Sequence, residues 1–517
     1  MKQKTWIISA LMCAMVIMVC LGVLHLLKEM TENNAPSGTV AEESTDHTEP
    51  EIDFAEEEET KEDIAETGSE EEESDVPVER EEGYYGWKQE LPQIFSSVPE
   101  EVPYEPPRLI LATDLHYQSA QADDGGAAFQ LFVERGDGKV VEYLPELLEA
   151  FMDQVIEEHP SALVLSGDIT MNGEKINHEE LARGLMRVQD AGIPVLIVPG
   201  NHDINNPHAA VYFGEEKAET DPVTPEEFYN IYHMYGYDQA ISRDDASLSY
   251  VYQLDERNRL LMLDTCQYEP KNMVEGQLKV ETLRWADEQL KKAKEDGMNV
   301  LPIGHHNLLA QSRMYTTQCA MNNNGDVIEL FQKYELPLYL SGHLHVQRIR
   351  KHKAEPGAAD DSYGIMEIVT DALSIPPCQY ALLEWKRDGS MEYSTKAVDV
   401  SAWAARTGSQ NPDLLDFEGW SERYIQKLII DQIRGVVKNL GNDVEHSMAE
   451  VYASVYIDYY AGRRIDAKGI RSSKGYRWWE RNMPDSYLLK ELDAMIDDSD
   501  RDNNYMLLPE VNAAAEE

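Results

Sequence analysis

Cysteine is scarce and positive charge is outnumbered: the 517 residues hold 5 Cys, and 45 Lys and Arg stand against 96 Asp and Glu. The first shortage excludes a small disulfide-stapled scaffold, which needs dense and even cysteines. Cys13 and Cys20 lie in an apolar run, which leaves Cys266, Cys319 and Cys378 for the rest of the chain. The second shortage, a formal net charge of -51, argues against a nucleic-acid polymer as partner, because no basic surface is there to release its counterions. A small anionic substrate stays compatible, since bound divalent cations reverse the local field. The chain also lacks a G-x-S-x-G elbow, a phosphate-cradling Walker loop and any internal repeat. Serine-nucleophile, P-loop and solenoid readings therefore fall away.

Long apolar runs are limited to one, from Trp6 to Leu27, with Lys2 and Lys4 before it. That length spans a hydrocarbon core as a helix, and the positive flank sets an N-in, C-out topology. Residues 1–30 are thus expected to be an uncleaved membrane anchor that places the remainder outside the cytoplasm; a cleaved signal and secretion are the alternative. Residues 31–100 are poor in apolar side chains and crowded with glutamate, as at Glu56 to Glu59 and Glu70 to Glu73. They read as a disordered, self-repelling stalk.

Past Pro103 the texture becomes short apolar runs alternating with amphipathic stretches. Strands are expected at 109–112, 162–165, 195–198, 260–263 and 338–340, and helices at 147–158, 178–191 and 280–294. Further runs at 250–254, 365–369 and 380–385 lack helices between them, which points to mixed sheets within an α/β domain over 101–400. Residues 401–517 carry long helical periodicity at 420–440 and 443–460, with a polar tail from Asp497 expected to fray.

The strand-like runs end in metal-binding residue types. They lead into Asp114-Leu115-His116, Gly167-Asp168, Gly200-Asn201-His202-Asp203, Gly304-His305-His306 and Gly342-His343-Leu344-His345. A lone Asp-x-His is ordinary, but clusters at successive strand ends converge on one crevice, because α/β sheets bind ligands beyond the carboxyl ends of their strands. As an ordered set these blocks resemble the calcineurin-like metallophosphoesterase superfamily, over about 108–385. The resemblance implies a four-layer fold of two mixed β-sheets flanked by helices and a dinuclear centre. It puts Asp114, His116 and His345 on one metal, Asn201, His305 and His343 on the other, and Asp168 between them. His306 is expected to support a ligand or line the pocket.

Mixed imidazole, carboxylate and amide ligands suit manganese, iron or zinc. Such a pair implies hydrolysis of phosphate esters by a metal-bridging hydroxide. His202 would donate a proton or stabilise developing charge, with Asp203 orienting its ring or capping a turn. The block Gly167 to Gly173 lacks the aspartate-arginine pair of the superfamily's protein phosphatases, which favours the phosphodiesterase-like branch unless Arg135 or Arg313 reaches the site. The expected substrate is a small phosphate ester, diesters before monoesters. A pyrophosphate-linked nucleotide or lipid-precursor hydrolase and a non-catalytic surface scaffold are the competing readings. The loop after His116, through Phe129 and Gly136-Asp137-Gly138, is long enough to wall a site.

Overall fold

A computed structural model describes residues 104–315, 317–353 and 363–508. The expected membrane helix and acidic stalk lie outside them, and no described helix is long and apolar enough to cross a membrane. Strands β1 (Arg108–Ala112), β2 (Ala162–Ser166) and β3 (Val195–Val198) run parallel. Beside β1 come β13 (Gln379–Trp385), β14 (Met391–Ala397) and β15 (Tyr505–Leu508), all antiparallel, giving the order β15-β14-β13-β1-β2-β3. The second sheet has the order β11-β12-β10-β9-β8-β7-β6. Its strands are β6 (Ser242–Arg243), β7 (Tyr250–Gln253), β8 (Asn258–Leu263), β9 (Asn299–Gly304), β10 (Leu338–Ser341), β11 (Arg348–Lys353) and β12 (Tyr363–Val369). A hairpin of β4 (Ala210–Phe213) and β5 (Glu216–Glu219) stands apart.

The parallel strands are apolar on both faces because both faces are covered; every residue of β2 is buried. Ile110, Val164 and Ile197 share one cluster with Met262, Ile303, Leu340 and Ile368 of the second sheet. The same cluster takes in Phe151 of α2 (Leu144–Glu158) and Leu185 of α3 (Lys175–Asp190), with α1 (Ala127–Glu134) nearby in sequence. The second sheet's far side packs Leu261, Leu263 and Tyr339 on Leu290 of α5 (Val280–Glu295) and Phe331 of α6 (Asn324–Lys333). The result is helix, sheet, sheet, helix. The aromatic stretch Phe228 to Tyr237 is packing: α4 (Pro225–Tyr232), capped by Thr224 and Glu227, buries Phe228 and Tyr232.

The C-terminal helices are α7 (Val400–Thr407), α8 (Pro412–Leu415), α9 (Phe417–Val436), α10 (Asn442–Tyr460), α11 (Ala467–Ser472), α12 (Lys474–Asn482) and α13 (Tyr487–Asp498). Ile425, Ile429, Tyr452, Tyr456, Trp479 and Leu492 form their core, and Leu344 and Val346 belong to it. The tail does not fray at Asp497. Helix α13 ends at Asp498, which receives Arg313 N–H and Arg350 Nη2, and Asn503 is buried before β15 closes the first sheet. Polarity there reflects hydrogen-bond demand, which average hydropathy does not distinguish from solvent exposure. Cys266, Cys319 and Cys378 are free and buried.

Candidate metal centre

Every candidate residue follows directly from the carboxyl end of a strand. Asp114 and His116 follow β1, Asp168 follows β2 and Asn201 follows β3; His305 follows β9, while His343 and His345 follow β10. The loops are tied to each other before any ligand is considered. Asp114 N–H donates to Gly167 O at 3.0 Å, His116 N–H to Asp168 O at 2.9 Å, and Gly342 N–H to His305 O at 3.0 Å. Asp114, His116, Asp168, His343 and His345 all adopt left-handed backbone, with φ from 45° to 73°. Such conformations persist in non-glycine residues only where the surroundings over-determine them, and they gather at functional sites. Gly342 is required by close approach: a Cβ there would lie 2.0 Å from Thr113 Oγ1 and 2.6 Å from Asp114 Oδ2.

Two groupings result. In the first, His345 Nε2 is 3.1 Å from both Asp114 Oδ1 and His116 Nε2, with Asp168 alongside. In the second, His305 Nε2 is 3.3 Å from Asp168 Oδ2, and His305, His306 and His343 gather their ring nitrogens. Asp168 therefore touches both. His305 Nδ1–H donates to Ser166 O at 3.0 Å, and His343 Nε2–H to Gln318 O at 2.8 Å, leaving one lone pair on each ring for a cation. His306 is different: Nε2–H donates to Val274 O and Nδ1 accepts from Thr265 Oγ1, so neither nitrogen is free.

Divalent ions fit what is left over. Asp114 Oδ1, Asn201 Oδ1 and His305 Nε2 are buried without a hydrogen-bond partner, an expensive condition unless something else satisfies them. His116 Nδ1 also lacks one, on the ring edge away from His345, and the ligand geometry does not account for it. Burial and then Lys139 hold His116 well below its usual value, and burial and then His305 bring His343 down to about 4, so both rings are the neutral form that binds metal. Burial pushes Asp168 up, but His305 and His202 outweigh it and hold the carboxyl well below the ordinary range.

His202 and Asp203 part company. His202 Nδ1–H donates to Met171 O at 2.8 Å, and Nε2 stands 4.0 Å from Asp168 Oδ2, with the side chain still 27% exposed. That places the imidazole between the centre and solvent, with its Nε2 edge toward Asp168. Asp203 does not orient the ring. Its Oδ2 accepts from Gly200 N and Ile169 N, and its Oδ1 from Thr170 N and Thr170 Oγ1, so it binds the Asp168 and Asn201 loops together. Burial and Asp168 raise it to about 7, yet four donors and no acceptor are the surroundings of a carboxylate.

Sequence reasoning placed Asp137 only within a loop long enough to wall a site and did not single out Lys139. The long loop folds back so that Asp137 Oδ2 lies 3.8 Å from His345 Nδ1 and 2.5 Å from Lys139 Nζ. Burial raises Asp137, but Lys139 and His345 bring it down to about 2. A carboxylate set between Gly136 and Gly138 was the available signal. A separate cleft of about 540 Å³, lined by Arg257, Leu301, Trp385 and Leu508, contains none of these residues.

Fold and site together define a metal-dependent phosphoesterase. Residues 107–347 match the model of the calcineurin-like phosphoesterase family. Residues 399–502 match the C-terminal domain of cyclic nucleotide phosphodiesterase. No curated protein matches the chain. Among solved structures it is similar to a dimetal phosphatase from Danio rerio, at 16% identity and a TM-score of 0.42, over 57% of this chain and 97% of that one. It is also similar to PhoD (10%, 0.33, 56% and 66%) and to purple acid phosphatase PPD1 from yellow lupin, Lupinus luteus, seeds (13%, 0.38, 57% and 52%).

Proposed function

We propose that the protein hydrolyses small phosphodiesters at a dinuclear centre of manganese, iron or zinc. Asp114, His116, His345 and Asp168 would hold one ion, and Asp168, Asn201, His305 and His343 the other. The observation that carries the reading is Asp168, whose carboxylate lies within 4.0 Å of His116, His305 and His202 at the junction of the two groupings. When bound, such a pair supplies an activated water and neutralises charge on the phosphoryl oxygens. The chain's own residues do the rest. Met171 and Asn172 hold His202 with its Nε2 edge toward the centre, where it can protonate a departing alkoxide.

Diesters are favoured for two reasons. The family matched by 399–502 is named for cyclic nucleotide phosphodiesterase, which makes a cyclic phosphodiester the first substrate to try. Arg313, one candidate clamp for a monoester dianion, pairs instead with Asp497 and Asp498, and the nearby Lys139 is occupied by Asp137. The full chain in detergent, loaded with each metal in turn, should cleave cyclic nucleotides and bis-aryl phosphates with kcat/KM roughly tenfold or more above aryl monophosphates, about 1.4 kcal/mol of transition-state preference. A monoester preference in every metal form overturns the diester reading. We further propose that residues 1–30 anchor the chain with its catalytic domain outside the cytoplasm, supported by the Lys2 and Lys4 flank. Protease added to intact cells should then reach the domain.

A further inference from the structure

The loop that carries His343 and His345 has two sides. The histidines face the centre, while Leu344 and Val346, at 3% and 0% exposure, are buried in the cluster built by α9, α10, α12 and α13. The next residue continues the grip. Gln347 N–H donates to Tyr460 O at 2.9 Å, and Gln347 Nε2 donates to Asn503 O at 2.8 Å. Gly462, just past α10, lies flat against it: a Cβ there would come within 2.6 Å of Gln347 Cγ and 2.8 Å of Gln347 O, on a backbone with φ of +68°.

The same helices reach His345 by a second route. Asp137 faces the outer nitrogen of that ring, and its loop is held from the C-terminal side. Tyr424 of α9 donates its hydroxyl hydrogen to Lys139 O at 3.0 Å, and Gln432 of α9 donates to Gly136 O at 3.2 Å. From the centre's side Val140 N–H donates to Ser374 O, and Ser374 donates to Asp114 O. Asp137 is thus suspended between the helices and the first metal's other ligand.

We infer that the C-terminal helical region is a positioning element of the metal centre, fixing His345 through Leu344, Val346 and Gln347 on one side and through the Asp137 loop on the other. Outer partners that orient a metal-binding imidazole typically govern affinity by about 10–100-fold. Here that control comes from residues roughly 80 to 160 positions downstream of the ligand. The inference rests on the dinuclear reading above.

The test is metal binding by the full chain, measured by chelator competition and elemental analysis, with thermal unfolding on the same samples. Gly462→Ala should weaken one of the two ions by roughly 10–100-fold and leave the other in place. Tyr424→Phe should act in the same direction by about fivefold, the worth of one ordinary hydrogen bond. Tyr452→Phe removes a hydroxyl that donates to Glu491 within the helices at 3.1 Å. It should lower Tm and leave both affinities unchanged. Gly462→Ala and Tyr424→Phe binding both ions like wild type overturns the inference, as does an equal loss in Tyr452→Phe. If Gly462→Ala fails to fold, Tyr424→Phe decides alone. Wild-type protein that takes up fewer than two ions would refute the dinuclear reading itself.

Discussion

Replacing Asp203 by alanine removes the single acceptor shared by Gly200 N, Ile169 N and Thr170 N, at 2.8, 3.2 and 2.9 Å, and by the Thr170 hydroxyl. The site is fully buried, so the stranded N–H groups cannot turn to bulk solvent. Each buried donor left unsatisfied costs roughly 1–3 kcal/mol. A water entering the vacated space would recover part of that. We expect a net destabilisation of about 3–5 kcal/mol, a large share of the roughly 5–15 kcal/mol that holds a domain together. Urea unfolding followed by intrinsic fluorescence, with and without chelator, should show a lower midpoint in both series and a weaker stabilisation by metal. The weaker metal effect follows because Asp168 and Asn201 sit on the two loops that Asp203 joins. A catalytic role gives a different pattern. Asp203→Ala with a midpoint within about 0.5 kcal/mol of wild type, full metal content and a kcat lowered by ~10²-fold or more would refute the loop-tying argument and restore Asp203 as the residue that orients His202.

Asp168→Asn should abolish nearly all activity and lower occupancy of both ions, since it removes the carboxylate shared by the two groupings; elemental analysis checks this, and retention of two ions at half the rate would contradict it. His202→Ala should lower kcat by roughly 10²–10⁴-fold with metal content unchanged, and the deficit should shrink for aryl esters, whose leaving groups need no proton. Glu491 is raised by burial from 4.5 to about 7, so the folded state binds more protons than the unfolded and stability falls as pH climbs between those values. Glu491→Gln should therefore unfold like wild type below pH 4.5 and be more stable by about 1–3 kcal/mol above pH 7, as read by denaturation at both pH values.

The buried parallel strands were legible in sequence because their apolar runs have no solvent face, and β3 was predicted to the residue. So was the gathering of Asp114, His116, Asp168, His305, His343 and His345, because strand ends in such sheets share one edge. Strand β11 escaped notice for the opposite reason: Arg-Ile-Arg-Lys-His-Lys is an edge strand rich in charge. Strand β15 is short and follows a polar stretch whose Asp498 and Asn503 are committed to Arg313, Arg350, Gln347 and Ile349. The partner of Asp203 could not be read from spacing, since three of its donors are main-chain N–H groups placed by the fold. The pairing of Asp137 with His345 joins residues 208 positions apart through a loop with no periodic signal.

Strand β15 also bears on how this protein can be shortened. It pairs Tyr505 through Leu508 with Ser394 through Met391 and covers the outer edge of β14. A chain cut between α13 and Tyr505 would keep its helices yet leave β14 with a row of unsatisfied N–H and C=O groups, a template on which a second molecule can add its own strand. Self-association of such a truncated chain would report an uncapped sheet edge, and should be relieved by placing a lysine or proline on β14.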